Sequence, residues 1–232
     1  MRLLSDEELE RSAVVANCRM NRERDLLGSN GYDRALGLDP LAFLRTRVEE
    51  GRPAAWLDLC CGTGKALIWA AEVLQAKPRA VEIVGVDLVG MFHRPSTGLG
   101  CLRLVEASLS GWRPDWAFDL ITCVHGLHYV GDKLGLIART ASWLVGDGMF
   151  AGNLDLRNLK VGGEPRPSRR ITADLRRAGL TYDSRRCLVF CPGLGSLNLP
   201  YRYLGADDQA GPNYTGQPAV DSYYELAEGA GR

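Results

Sequence analysis

The rhythm of apolar and polar positions changes near residue 55. Ahead of it the spacing is helical. Ser5-Asp6-Glu7-Glu8 has the form of a capping box in front of Leu9, Val14 and Val15. Gly28-Ser29-Asn30-Gly31 breaks the pattern, and residues 40–49 predict a helix with Pro40 in its first turn. From residue 55 short apolar runs alternate with helical segments. Residues 55–60, 80–87, 102–106 and 118–124 read as strands, and a fifth follows the turn at Gly146-Asp147-Gly148. Residues 65–74 predict a helix, as do 132–144, where Leu134, Ile137, Ala138, Ala141 and Leu144 share a face. Strand–helix alternation of this kind predicts an α/β fold with a parallel sheet and right-handed crossovers.

The last third differs. Residues 187–191 and 197–204 are apolar and closely spaced, which predicts an antiparallel hairpin finishing the sheet. Residues 205–232 are rich in Gly, Asp and Pro and read as a tail with a loose end. Lys plus Arg and Asp plus Glu each number 28 in 232 residues, so no global basic field is present to draw nucleic acid. The seven cysteines are an odd set, the first residues carry no apolar run, and no stretch is long enough to span a membrane. The expectation is a reducing, cytoplasmic setting.

Candidate chemistry centres on Leu57-Asp58-Leu59-Cys60-Cys61-Gly62-Thr63-Gly64-Lys65, a glycine turn between the first strand and the first long helix. In an open α/β sheet this carboxyl edge is where ligands sit. Asp58 ahead of the turn repels a pyrophosphate and attracts a cation or an amine. The spacing also departs from the G-x-G-x-x-G nicotinamide pattern. The segment resembles motif I of class I S-adenosylmethionine-dependent methyltransferases, Asp-x-Gly-x-Gly-x-Gly, with Cys60 in place of the first glycine. That exchange is tolerable where the position needs no positive φ. The resemblance continues in Val86-Asp87-Leu88, Glu106-Ala107-Ser108, Phe118–Val124 and Trp143–Phe150, and it covers roughly residues 55–155.

The resemblance implies a Rossmann-like, seven-stranded, mostly parallel sheet with a C-terminal antiparallel hairpin and helices on both faces. It implies S-adenosyl-L-methionine as cofactor. Its binding residues would be Asp58, Cys60, Gly62, Thr63, Gly64, Asp87 and Leu88, with Asp87 on the ribose. Glu106, Ala107 and Ser108 would lie at the adenine, and Val124 and His125 beside the methyl group. An N-terminal helical lid, residues 1–50, would close over the domain of residues 51–204 and bring Tyr32, with Arg22 and Arg24, toward the methionine carboxylate.

Two of the three histidines, His125 and His128, follow the fourth strand and are the catalytic candidates, suited to taking a proton from an acceptor. The bland reading is that they only pack against the cofactor. His93 reads as an exposed loop residue. Cys187 and Cys191, four apart, read as a buried pair on one face of a strand, and no metal site is expected. Residues 157–186 carry nine basic residues against Glu164, Asp174 and Asp183. An anionic acceptor or an RNA backbone would use them; the plainer reading is a solvated amphipathic helix. Tyr201, Tyr203 and Tyr214 are candidates for an acceptor pocket covered in part by residues 205–232, or Tyr201 and Tyr203 simply pack on an edge strand.

The reading is a methyltransferase acting on a small-molecule acceptor, with no membrane partner and nucleic acid unexpected. The alternatives are an RNA or protein methyltransferase and a non-catalytic cofactor-binding protein.

Overall fold

The computed structural model describes residues 2–16, 23–75, 80–95, 98–162, 164, 166–193 and 195–227. Four helices come first: α1 (Asp6–Glu10), α2 (Ala13–Ala16), α3 (Tyr32–Leu36) and α4 (Pro40–Glu49). The Ser5 capping box is formed in both directions with Glu8, and Pro40 sits in the first turn of α4 behind the Asp39 cap. The alternating region follows as β1 (Ala54–Leu59), α5 (Lys65–Leu74), β2 (Val81–Asp87), β3 (Leu102–Glu106), β4 (Phe118–Cys123), α6 (Lys133–Ser142) and β5 (Leu144–Asn153). The chain ends with β6 (Leu159–Val161), α7 (Pro167–Arg177), β7 (Thr181–Asp183), β8 (Leu188–Pro192), β9 (Tyr201–Asp207) and β10 (Asp221–Leu226).

Seven strands form one sheet in the order β3-β2-β1-β4-β5-β8-β7. The first five run parallel, and β8 is antiparallel to both β5 and β7. Alternate side chains feed two cores. Leu57, Leu59, Val84, Val86 and Ile121 pack with α6 and α7 on one face. Trp56, Ile83 and Leu120 pack with α3, α4 and α5 on the other. Helices therefore cover both faces, which is why the central strands are apolar runs rather than alternating ones.

The sequence misplaces the hairpin. β8 does not pair with residues 197–204; it pairs with β7, a three-residue strand that carries no hydrophobic signal. Residues 201–207 leave the main sheet and join a second one, β6-β10-β9, in which β10 is parallel to β6 and antiparallel to β9. The segment read as a tail thus supplies a strand. Cys187 is also not a strand residue: it lies in the turn before β8 at φ 51, while Cys191 is buried opposite Phe150.

The second sheet is pinned to the first domain half by Lys133. This buried ammonium donates to Val130 O, Val220 O and Ser222 Oγ at 2.9, 2.8 and 2.7 Å. Desolvation pulls its pKa down to about 7. Tyr203 of β9 donates to Asp6 of α1 at 3.1 Å, and Tyr201 donates to Asp174 of α7 at 2.5 Å. These two tyrosines pack, as in the plainer of the two expectations. Among the described residues no helix is long and apolar enough to cross a membrane.

Candidate active site

Asp58, next to last in β1, lies fully buried at the carboxyl edge of the sheet. Its Oδ2 accepts from Tyr32 Oη at 2.6 Å and its Oδ1 from Thr122 Oγ1 at 2.5 Å. Trp56 Nε1 donates to the same Thr122 Oγ1 at 2.8 Å, and the Trp56 ring meets Tyr32 edge-on. Two neutral donors only partly offset burial. The Asp58 carboxyl is pushed up to about 7, chiefly by desolvation and further by the charge of Asp87.

The glycine turn is tight. Gly62 and Gly64 have φ of 61° and 73°, and a Cβ on Gly64 would meet Leu104 Cδ1 at 3.0 Å. Cys60 also has a positive φ, 58°. The condition under which cysteine replaces the first glycine without strain is therefore not met. Room for its side chain comes from Gly126: a Cβ there would lie 2.4 Å from Cys60 Cβ and 2.8 Å from its Sγ.

Asp87 at the end of β2 braces this turn. Its Oδ2 accepts from Gly62 N at 2.9 Å and its Oδ1 from Val89 N at 3.0 Å. Thr63 is buried, and its carbonyl accepts from His93 N at 2.9 Å. The His93 ring is half-exposed, with Nε2 2.9 Å from Glu23 Oε1. Ala107 N donates to Asp87 O at 2.9 Å, which brings the end of β3 beside the end of β2.

A cavity of about 90 Å³ opens here among Cys60, Asp87, Leu88, Leu109, Ser110 and Tyr129. Leu9, Glu10 and Val15 of the N-terminal helices close its other side. Leu9 and Val15 are buried against Leu88 and Tyr129, and Ser108 Oγ donates to Glu10 Oε1 at 2.5 Å. Glu106, in contrast, is exposed, against Gly90 rather than in this cavity.

The segment after β4 turns sharply. Val124 is buried, and His125 at φ 57 caps a 3-10 turn, Gly126–Tyr129. His125 N donates to Asn153 Oδ1 at 3.1 Å. The His125 Nδ1 and both ring nitrogens of His128 have no hydrogen-bond partner among the described residues. Burial, aided by Arg24, lowers the His125 pKa to about 4. Burial and the neighbouring His125 lower His128 to about 3. Both imidazoles are neutral near pH 7. Their rings are 5.7 Å apart, and Tyr214 stands 6.1 and 5.5 Å from them.

The structure thus gathers Asp58, Tyr32, Cys60, Gly62, Thr63, Gly64, Asp87, Leu88, Val124, His125 and His128 at one edge of the sheet. Arg24 lies close enough to shift both histidines and hydrogen-bonds Asn30 at 2.7 Å. Arg22 lies outside the described residues. Sequence reading missed Thr122, Asn153 and Asn213. A polar residue closing an apolar strand, as in Gly152-Asn153, is the one signal that would have found any of them.

A parallel sheet with a glycine turn after β1, an acid ending β2 and a ligand-facing edge defines a Rossmann-like domain of the methyltransferase type. Residues 31–197, well over half the chain, match the family described as "Methyltransferase domain", and the chain belongs to this family of class I S-adenosylmethionine-dependent methyltransferases. It is 28% identical over 127 residues to trans-aconitate 2-methyltransferase of Escherichia coli O139:H28, covering 49% of this chain and 49% of that protein. The chain spans about half the length of the curated relatives it matches. Among solved structures it is similar to a putative S-adenosylmethionine-dependent methyltransferase from Listeria monocytogenes, with 21% identity, 50% of this chain and 55% of that one, and a TM-score of 0.36. It is also similar to CalS10, an amino pentose methyltransferase from Micromonospora echinaspora, with 19% identity, 60% and 55% coverage, and a TM-score of 0.40.

Proposed function

We propose that this chain is an S-adenosylmethionine-dependent methyltransferase whose acceptor is a small molecule. The observation that carries the reading is the convergence of Asp58, the Gly62–Gly64 turn, Asp87 and His125 at the carboxyl ends of β1, β2 and β4. The fit to the cofactor is chemical. Asp58 is a buried acid with two neutral donors and a raised pKa, so a nearby ammonium would favour its ionised form. Gly62 and Gly64 take their positive φ without strain, and the missing Cβ of Gly64 lets Leu104 pack against the turn. In this reading Asp58 and Tyr32 hold the methionine end, and Asp87 the ribose. Leu88, Ala107 and Ser108 flank the adenine.

The cofactor supplies a sulfonium-activated methyl group. The protein's part is to align the acceptor with it and to exclude water. Val124, His125 and His128 wall the methyl side. Neutral histidines with pKa values near 4 and 3 are weak bases, so their role in this reading is to shape the pocket and to accept at most a weak hydrogen bond. The cavity beside Asp87 has room for a few waters at about 90 Å³.

The test is calorimetric titration with S-adenosylhomocysteine of the wild type, Asp87→Ala and Gly62→Val. Micromolar binding that both substitutions weaken at least tenfold supports the reading. Unchanged affinity in Asp87→Ala removes the ribose assignment, and unchanged affinity in Gly62→Val removes the turn. Tight cofactor binding with no methyl transfer to any small-molecule extract would favour a non-catalytic binder.

A further inference from the structure

A second, larger cavity of about 1020 Å³ lies between Asp155–Arg157, α7, the turn from β7 to β8, and the loop carrying Asn213 and Tyr214. Four arginines stand on its wall: Arg157, Arg169, Arg176 and Arg185. Arg169 and Arg176 are two turns apart on one face of α7, and Arg185 reaches in from the β7–β8 turn. The exposed basic stretch thus divides by what its arginines face. Arg170 and Arg177 turn away to pair with Asp174. Arg169, Arg176 and Arg185 have no carboxylate within 4.0 Å among the described residues.

Asp155 is the single acid on this wall, and it is already engaged. Arg157 Nε donates to both of its oxygens at 3.1 and 3.2 Å, and Arg157 Nη2 donates to one of them at 2.8 Å. Tyr214 N donates to it at 2.9 Å. Three guanidinium charges remain uncompensated at the cavity. A buried donor adds to them. Asn213 is 4% exposed; its Oδ1 accepts from Thr215 N and Oγ1, while its Nδ2 has no acceptor among the described residues. A buried amide donor left without an acceptor is costly unless a ligand supplies one.

The cavity is joined to the histidines by Tyr214. This ring lines the cavity and also stands 5.5 Å from His128, whose two ring nitrogens are unpartnered at 1% exposure. Planar donor forks are matched to carboxylate and phosphate oxygens. We propose that this cavity is the acceptor site, and that the acceptor is a small polyanion with at least two carboxylate or phosphate groups. Arg169, Arg176 and Arg185 hold its charged groups, Asn213 Nδ2 donates to one of them, and the reacting end lies at Tyr214 and His128. This rests on the methyltransferase reading above. A polymer backbone is the weaker fit, because the arginines line a single cavity and no row of aromatic side chains accompanies them for base stacking.

Two probes separate the sources of the anionic oxygens: citrate for carboxylates and fructose 1,6-bisphosphate for phosphates, with glucose as the neutral control. Binding is measured calorimetrically in the presence and absence of S-adenosylhomocysteine, at 0.15 M salt. At least one anion is expected to bind at submillimolar concentration and glucose not at all. Arg169→Ala combined with Arg176→Ala should weaken that binding at least tenfold, Arg185→Ala severalfold, and S-adenosylhomocysteine affinity should stay within twofold in both. All three side chains are exposed, so the fold is retained. Absence of binding by both anions overturns the proposal, as does binding indifferent to the arginine variants. Salt-steep binding of a tRNA pool that neither anion displaces also overturns it, in favour of a polymer. Anion binding that responds to the variants in a protein that ignores S-adenosylhomocysteine would sink the cofactor reading and leave the anion pocket standing.

Discussion

The Tyr32 hydroxyl donates to Asp58 at 2.6 Å, joining the segment ahead of the sheet to the acid at the end of its first strand. Both groups are buried, and the Asp58 pKa is raised to about 7. Its unfolded value is near 4, so across pH 4–7 the folded chain binds the extra proton, and stability falls as pH rises through that window. The measurement is a urea midpoint for wild type and Asp58→Asn at pH 5 and pH 8. The asparagine variant should gain on the wild type by about 2–3 kcal/mol between pH 5 and pH 8. Saturating S-adenosylhomocysteine should narrow the gap in the wild type, since an ammonium near Asp58 offsets the cost of ionising it. A gap independent of pH would show that Asp58 is ionised throughout.

Cys60 and Gly126 form a second linked pair. Cysteine at φ 58 is strained, and its side chain occupies the space that a Cβ on Gly126 would need. Cys60→Val should cost about 2 kcal/mol, because a β-branched residue tolerates the left-handed region worst. Cys60→Gly should preserve the fold and cofactor affinity. Gly126→Ala should be destabilising alone and partly rescued by Cys60→Gly, with a coupling of about 1 kcal/mol in a double-mutant cycle. Additive effects would mean that the Cys123 sulfur, 2.9 Å from the same point, sets the limit instead.

Much of this arrangement is legible in the sequence where the determinants are local. The glycine turn, the apolar runs flanking it and the acids at Asp58 and Asp87 all fall within single β–turn–α units, so periodicity and turn chemistry locate them. The positive φ of Cys60 is not legible, because the residue type argues against it. Nor is the pairing of β8. Two neighbouring apolar runs look like a hairpin, yet β8 lies between β5 and the three-residue β7, and β9 is claimed by β10 from the apparent tail. Strand partners of that kind are chosen by packing across the whole domain. Thr122 and Asn153 escaped for the same reason: each acts on a residue brought to it by sheet register, while Asn213 lines a cavity that a returning loop brings together.

His125 and His128 predict an acid limit to stability. Their folded pKa values are lowered to about 4 and about 3. An unfolded imidazole titrates near 6.5, so between pH 6.5 and 4 the unfolded chain binds more protons and stability falls as pH falls. For His125 alone the loss is about 3 kcal/mol by pH 4. His125→Gln should flatten the fall in urea midpoint between pH 6.5 and 4.5, and an unchanged slope would place the ring in water. For any acceptor found, the pH dependence of kcat near pH 6.5 should be the same in the wild type and in His125→Gln.

Arg47 offers a test of stability remote from the candidate site. It is buried at the opposite edge of the sheet, where α4 meets β4 and β5. Its Nη1 lies 3.0 Å from Asp119 Oδ1 and 2.9 Å from Asp147 Oδ2, and its Nη2 donates to Asp147 O at 2.6 Å. Asp119 is 6% exposed and accepts from Ala55 N at 2.8 Å, so it also fixes the start of β1. Arg47→Met leaves that carboxylate buried without its cation, at a cost of about 3–5 kcal/mol. In a chain of this length the midpoint of thermal unfolding should fall by about 10 °C. Adding Asp119→Asn removes the stranded charge and should recover part of the loss, while Asp119→Asn in the wild-type background should be destabilising. S-adenosylhomocysteine affinity, measured well below the lowered midpoint, should match the wild type. A parallel loss of affinity would mean that the two edges of the sheet are energetically coupled, and that α4 positions the glycine turn as well as covering the sheet.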